Sequence, residues 1–274
     1  MEIQILLENN SIDTHYKSKH GLSILIKHQR KSILLDVGPN KYFLENAKKL
    51  NLDLAGVELL FLSHAHYDHT GGLNAFFKVN KNAVVYLMDK IASKYYLKGR
   101  FFNFPIGLKI KKKFNSRINQ IDNDLALNND IYFLKNSVLE YAKPTFNKSL
   151  LKKDNKGVIP DTFDHEGILI LEENGELVIF NSCSHNGLLN IIETVETKIP
   201  NKKIRAYIGG LHLTNPGTGQ HEENEYLDML IGKLLQKDIV VYTGHCTGKF
   251  VIDYLKNGLK DRIQEINTGM KLDI

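Results

Sequence analysis

The sequence predicts a mixed α/β fold. Short apolar runs bounded by turn-forming residues read as buried strands, stretches with helical spacing follow several of them, and one event recurs: a strand, a glycine-bracketed loop, then a histidine. Hairpins are interspersed with these strand–helix units in both halves of the chain, which gives a coarse two-fold echo.

In order, residues 2–8 form a first strand. Gly21 to His28 and Lys31 to Asp36 flank the polar turn His28-Gln29-Arg30-Lys31 as a hairpin that exits into Asp36-Val37-Gly38-Pro39-Asn40. Tyr42 to Leu50 has helical spacing, Val57 to Leu62 reads as a buried strand, Leu73 to Val79 as a short helix and Ala83 to Met88 as a further strand. Gly167 to Leu171 and Leu177 to Phe180 form a second hairpin around Asn174-Gly175, a strong two-residue turn signal. Helices are expected at Leu188 to Glu196, Glu222 to Gln236 and Lys249 to Lys256, with strands at Ile204 to Ile208 and Ile239 to Tyr242. No linker long enough to separate domains is visible, so residues 1–274 are expected to form one domain with an insertion or lid at about 90–155.

With 42% hydrophobic and 24% charged residues the chain has the composition of an ordinary soluble globular protein. The net charge of +5 is modest and much of it is local, which argues for substrate electrostatics before nucleic-acid binding. No uncharged apolar run suggests a membrane span, and Met1-Glu2-Ile3-Gln4 lacks a signal pattern. Two cysteines, Cys183 and Cys246, cannot build a disulfide framework, so a reducing cytoplasm is expected.

The chemistry concentrates in Ser63-His64-Ala65-His66-Tyr67-Asp68-His69-Thr70-Gly71-Gly72-Leu73, directly after the strand ending at Leu62. His64, His66, Asp68 and His69 put four strong metal ligands within six residues. Neutral imidazoles with carboxylates suit zinc, iron or manganese better than magnesium or calcium. Solvated loop histidines are the bland alternative, and histidine is too scarce, 11 in 274, to cluster this way often. Cys183 with His185, then His212, then His245 with Cys246 repeat the strand–loop–histidine event. Strand ends on one edge of a sheet share a crevice. Two ions about 3.5–4 Å apart in such a crevice lower the pKa of water toward neutrality and polarise a substrate oxygen.

Residues 94–113 mix bases with aromatics, and Lys98, Arg100, Lys111 and Lys112 are candidates for holding a phosphate or another anion. A solvated insertion whose aromatics pack on the core is the equal alternative; a single-stranded nucleic-acid surface is the weaker one.

The first motif resembles the HxHxDH signature of the metallo-β-lactamase superfamily. Ser182-Cys183-Ser184-His185-Asn186-Gly187, Gly209-Gly210-Leu211-His212-Leu213 and Thr243-Gly244-His245-Cys246-Thr247-Gly248 are similar to one branch of it. That branch includes archaeal 7,8-dihydropterin-6-methyl-4-(β-D-ribofuranosyl)aminobenzene-5′-phosphate synthases and many bacterial metallo-hydrolases. The resemblance spans the whole chain and implies a four-layer αββα sandwich. It implies that His64, His66 and His185 bind one divalent ion while Asp68, His69 and His245 bind a second, zinc first, iron or manganese as alternatives. Many members bridge the ions with an aspartate. Cys183 stands where that aspartate is expected, as a ligand or as a structural thiol, with Asp164, His165 and Glu166 in reserve. Asp68 is also a catalytic candidate, His212 a substrate-contacting or proton-transferring one, and Asp36 a support for a ligating imidazole. His15, His20, His28 and His221 are expected at the surface.

The function expected is a metal-dependent hydrolase of a phosphorylated or otherwise anionic small molecule. The alternative is a transferase that joins a dihydropterin-methyl group to an aminobenzene ribosyl phosphate, and a non-catalytic metal-bearing binding protein is a third class. Neither nucleic acid nor membrane is expected as a partner. Flavin-coupled diiron relatives are disfavoured because they carry Glu where His66 stands.

Overall fold

Apolar alternation and short connections place the strands in three sheets. A computed structural model describes residues 1–274, and the chain divides into two compact units. The first comprises Met1–Asn123, Lys148–Gly167 and Asn267–Ile274; the second comprises Asp124–Asn147 and Ile168–Ile266.

The first unit carries a seven-stranded sheet in the order Lys271–Asp273, Glu2–Leu7, Ser23–His28, Lys31–Leu35, Leu59–Leu62, Val84–Leu87, Ile118–Gln120. The first four strands pair antiparallel and the last four parallel. Parallel neighbours need crossover connections, and two of these contain the helices Tyr42–Lys49 and Leu73–Val79. Their apolar faces, Phe43 and Ala47 from one and Leu73, Phe76 and Phe77 from the other, bury into one cluster with Leu34, Leu60, Leu62, Val85 and Leu87. Leu59–Leu62 is buried throughout, as expected for a parallel strand covered on both faces. The unit also holds a four-stranded antiparallel sheet, Gly157–Pro160, Leu150–Asp154, Lys94–Leu97 and Phe104–Pro105.

The second unit repeats the plan. Its seven-stranded sheet runs Ile263–Glu265, Val240–Thr243, Lys203–Ile208, Glu176–Phe180, Gly167–Glu173, Ile131–Lys135, Leu125–Ala126. The first four are mutually parallel. Gly167–Glu173 and Glu176–Phe180 form the expected hairpin, with Asn174 and Gly175 both at positive φ, as a two-residue type I′ turn requires. Helices Leu188–Lys198, Asn224–Leu235 and Lys249–Leu259 bury Ile191, Ile192, Leu230, Leu234, Val251 and Leu255 in a cluster with Ile170, Ile179 and Val241.

The segment at about 90–155 is distributed: Lys94–Leu97 and Leu150–Asp154 pair in the small sheet, Ile118–Gln120 joins one large sheet and Ile131–Lys135 the other. No helix is long and apolar enough to cross a membrane.

Candidate metal centre

The ligand loop leaves the C-terminal end of Leu59–Leu62, among parallel strands, and turns at once into the single helical turn Tyr67–Thr70. His66 supplies the turn's first backbone acceptor, to His69 and Thr70 N–H, and Thr70 Oγ1 donates back to the same carbonyl. Gly72 permits the close return: a Cβ there would lie 2.2 Å from the Val37 carbonyl oxygen. The result gathers three imidazoles, with His64 ring centroid 4.6 Å from that of His66 and 4.3 Å from that of His69.

One carboxylate orients two of them. Asp36 Oδ1 accepts the Ser63 N–H at 2.7 Å, and Asp36 Oδ2 accepts the Ser63 hydroxyl at 2.6 Å. Asp36 Oδ2 also lies 2.8 Å from His69 Nδ1. With its proton committed to Asp36, Ser63 Oγ can only accept from His64 Nδ1, 2.9 Å away. Both rings therefore carry a proton on Nδ1, which leaves Nε2 as the nitrogen turned away from these partners. Asp36 itself sits at φ +55°, a left-handed conformation uncommon for a side-chain-bearing residue.

Burial and the neighbouring imidazoles His69 and His66 hold His64 well below the ordinary histidine range. Burial likewise pulls His66 down, against Asp161, so both rings are neutral and ligand-competent. For His69, burial acts downward, but Asp68 and Asp36 outweigh it and push the pKa up to about 10. Asp68 Oδ2 lies 3.3 Å from His69 Nε2. Two carboxylates aimed at one ring favour positive charge there, and a divalent ion answers that field as well as a proton does.

The structure adds a residue that sequence reasoning did not select. Asp161, fully buried in its side chain, places Oδ2 3.0 Å from His165 Nε2 and 3.8 Å from His66 Nε2. Burial pushes its pKa up, but the hydrogen-bonded His165 and the facing His66 outweigh this and hold it well below the usual carboxylate range. His165 Nδ1 faces the Ala65 N–H, and the Tyr95 ring lies 4.2 Å from the His165 ring. The only signal in sequence was the turn Pro160-Asp161-Thr162, an ordinary loop pattern. Asp164 is exposed and pairs with Lys152 at 2.7 Å, while Glu166 is buried.

In the second unit, three loops leave neighbouring parallel strands at their C-terminal ends: 181–187, 209–213 and 244–248. They carry Cys183, His185, His212, His245 and Cys246. Tyr207, buried under the first two loops, donates to the Asn181 carbonyl at 2.7 Å and also bonds Ser184 Oγ. His185 Nδ1 is 3.0 Å from Asn147 Oδ1, and Asn147 Nδ2 donates to the His185 carbonyl at 2.7 Å, fixing the ring from both ends. The His212 ring packs 4.2 Å from the His185 ring. Ser184, His212 and His245 all hold positive φ, so side-chain-bearing residues in a costly conformation concentrate in these loops. Burial alone would push the Cys246 thiol up; the hydrogen bond with Cys183 and the facing His245 and His212 outweigh it and hold that thiol well below the ordinary range.

One histidine expected at the surface, His28, is buried. His20 is 40% exposed in its side chain, and its Nε2 lies 3.4 Å from Asp68 Oδ2 because the chain returns past the ligand loop at Gly21. His15 is exposed, and the half-buried His221 stacks on Phe250. Lys98, Arg100, Lys111 and Lys112 are exposed, Arg100 lying over the Phe101 ring. The base beside the ligand loop is Lys109, 5.5 Å from the Tyr67 ring centroid; the pairing of His66 with Gly107 and the Tyr67 N–H to Ile106 carbonyl bond bring its segment there.

Residues 19–148 match the profile of the Metallo-beta-lactamase superfamily. A crystal structure described as a metal-dependent hydrolase of the beta-lactamase superfamily superposes with a TM-score of 0.83 at 24% identity, covering 100% of this chain and 99% of that one. Over residues 19–148 the chain is similar to that superfamily, and over its whole length it has the fold of that structure. The mixed α/β metallo-β-lactamase-like fold expected from the sequence is thereby shown. The Zn(2+)-bound PqqB of Methylobacterium extorquens shares this fold more distantly, with a TM-score of 0.57 at 13% identity and 100% of both chains covered. Among curated relatives, the 7,8-dihydropterin-6-methyl-4-(beta-D-ribofuranosyl)-aminobenzene-5′-phosphate synthase of Methanocaldococcus jannaschii is 27% identical over 92% of this chain and 89% of its own length. Metallo-β-lactamase superfamily proteins generally bind divalent metals, and the donor sets of both units fit such ions in residue type.

Proposed function

We propose that this protein is a metal-dependent hydrolase acting on a phosphorylated or otherwise anionic small molecule. The observation that carries this reading is the orientation of the imidazoles. Asp36 and Ser63 commit Nδ1 of His64 and His69, and Asn147 commits Nδ1 of His185. Histidines held in one tautomer by an outer partner are the preparation that metal ligation requires. In this reading His64, His66 and His185 hold one divalent ion and Asp68, His69 and His245 a second, zinc first and iron or manganese as alternatives. Ions so held lower the pKa of water and polarise a substrate oxygen.

The chain's own residues do the rest. Asp36 and Asp161 keep their histidines from turning, and Asp68, half-buried between His69 and His20, supplies negative charge at the mouth of the loop. Lys109, over the Tyr67 ring, joins Lys98, Arg100, Lys111 and Lys112 as a cation that would draw an anionic group toward the ligand loop. Metal-loaded protein assayed against phosphomonoesters, phosphodiesters, thioesters and lactones tests the reading. Turnover that is lost in His64→Ala supports it, and silence across the whole panel counts against it.

The similarity to the archaeal synthase, spread over nearly the full length of both chains, favours a second reading in which a dihydropterin-methyl group is transferred. Fold alone does not choose between them. Fluorescence titration with a dihydropterin separates the two, and absence of binding removes the transferase.

A further inference from the structure

One cluster in the second unit uses none of the six donors assigned above. Cys183, His212 and Cys246 have their ligand atoms within 4.8 Å of one another, and all three residues are buried. His212 is only 9% exposed, yet neither of its ring nitrogens has a hydrogen-bond partner. A buried imidazole without partners costs stability. Its position is maintained by a backbone at φ +55°, itself unfavourable, and by its own N–H, which donates to Cys246 Sγ at 3.2 Å. Two unfavourable features at one residue, beside two thiols not joined in a disulfide, point to a ligand that rewards them.

From this we propose that Cys183, His212 and Cys246 form a soft-metal site that takes a thiophilic ion, zinc in the cell. The sulfur spacing fits. With Zn–S of about 2.3 Å and tetrahedral angles, two thiolates on one zinc lie roughly 3.8 Å apart. A disulfide would bring them to about 2.05 Å. The observed Cys183 Sγ to Cys246 Sγ distance is 3.5 Å. The charges fit as well, because two buried thiolates and one divalent ion sum to zero, whereas either thiolate alone would be an uncompensated buried charge. Gly210 makes room for the pair: a Cβ there would stand 2.6 Å from Cys246 Sγ and 2.7 Å from the Ser182 carbonyl oxygen. Three protein donors, two thiolates and an imidazole, leave the fourth tetrahedral position to water or a small ligand.

The site is tested with cadmium, whose bonds to thiolate give a ligand-to-metal charge-transfer band in the ultraviolet. Reduced, chelator-stripped full-length protein is titrated with Cd(II) and followed by difference absorption. The expected result is a saturable band that halves in Cys183→Ser and in Cys246→Ser and disappears in the double variant. It persists in His69→Ala, so loss of the histidine–carboxylate centre and loss of this site are read separately. His212→Ala weakens cadmium affinity at least tenfold while keeping the band. Cadmium binding to wild-type protein without a charge-transfer band would overturn the proposal without any variant. So would an unchanged band in the folded double variant. Thiol counting before reduction, in denaturant, gives a further check: two thiols per chain support the site, and none, with a mass two hydrogens lower, shows a disulfide instead.

Discussion

His69 Nδ1 lies 2.8 Å from Asp36 Oδ2, and the same oxygen accepts the Ser63 hydroxyl that faces His64. One carboxylate on the exit of a hairpin strand therefore sets the tautomer of two ligand-loop histidines that lie 28 and 33 residues further along the chain. Asp36→Asn keeps the shape but can offer an N–H where His69 Nδ1 needs an acceptor. Removal of such an outer partner typically costs about 10–100-fold in metal affinity. Competition against a calibrated chelator measures it, with circular dichroism confirming the fold.

Asp161 gives the same kind of prediction for His66. Asp161→Asn weakens the hold on His66 and His165 together, and metal affinity or turnover drops by about 10–100-fold. Asp164→Asn, three residues on and exposed, serves as the comparison and leaves metal affinity unchanged.

The metal-free protein has a pH profile with two opposed limbs. His64 and His66 are depressed below 6.5, so their contribution to stability is present above that pH and lost as pH falls through their folded values. His69 is raised to about 10, so its contribution is present below 6.5 and lost as pH rises through about 10. Urea midpoints measured with chelator present are expected to be highest near neutrality and to decline on the alkaline side between these limits. In Asp36→Asn the alkaline decline becomes shallower, because one of the two carboxylates that raise His69 is gone.

Two glycines separate close approach from mere flexibility. Gly72→Ala would put a Cβ 2.2 Å from the Val37 carbonyl oxygen and 2.7 Å from that of Asn40, so backbone must move, at a cost of about 1–3 kcal/mol or more. Gly232, exposed within the helix Asn224–Leu235, meets nothing within 4 Å, and Gly232→Ala stabilises by about 0.5–1 kcal/mol. Denaturant midpoints of the two variants are expected to shift in opposite directions.

Much of this architecture was legible in the sequence. The buried strand Leu59–Leu62, the helix Leu73–Val79 and the Asn174-Gly175 hairpin follow from apolar period and turn chemistry, both local properties. The ligand loop was legible because four donors stand side by side in the chain, and Asp36 because it ends a strand. Edge strands such as Lys271–Asp273 and Ile263–Glu265 were not, being three residues long with no period to read. Asp161, Asn147 and the pairing of Cys183 with Cys246 were hidden for another reason. Each acts on a partner 38 to 95 residues away, through a contact that only the folded chain creates. Lys109 was lost among its neighbours, since charge alone does not tell which of several lysines a cross-strand pairing brings beside Tyr67.

The dinuclear assignment is tested most directly by electron paramagnetic resonance of the manganese-loaded protein, since Mn(II) favours imidazole and carboxylate donors over the thiol cluster. Two exchange-coupled Mn(II) ions per chain, reduced to a single uncoupled ion in His69→Ala, are the expected result. An uncoupled single-ion spectrum from the wild-type protein at saturating manganese would contradict it.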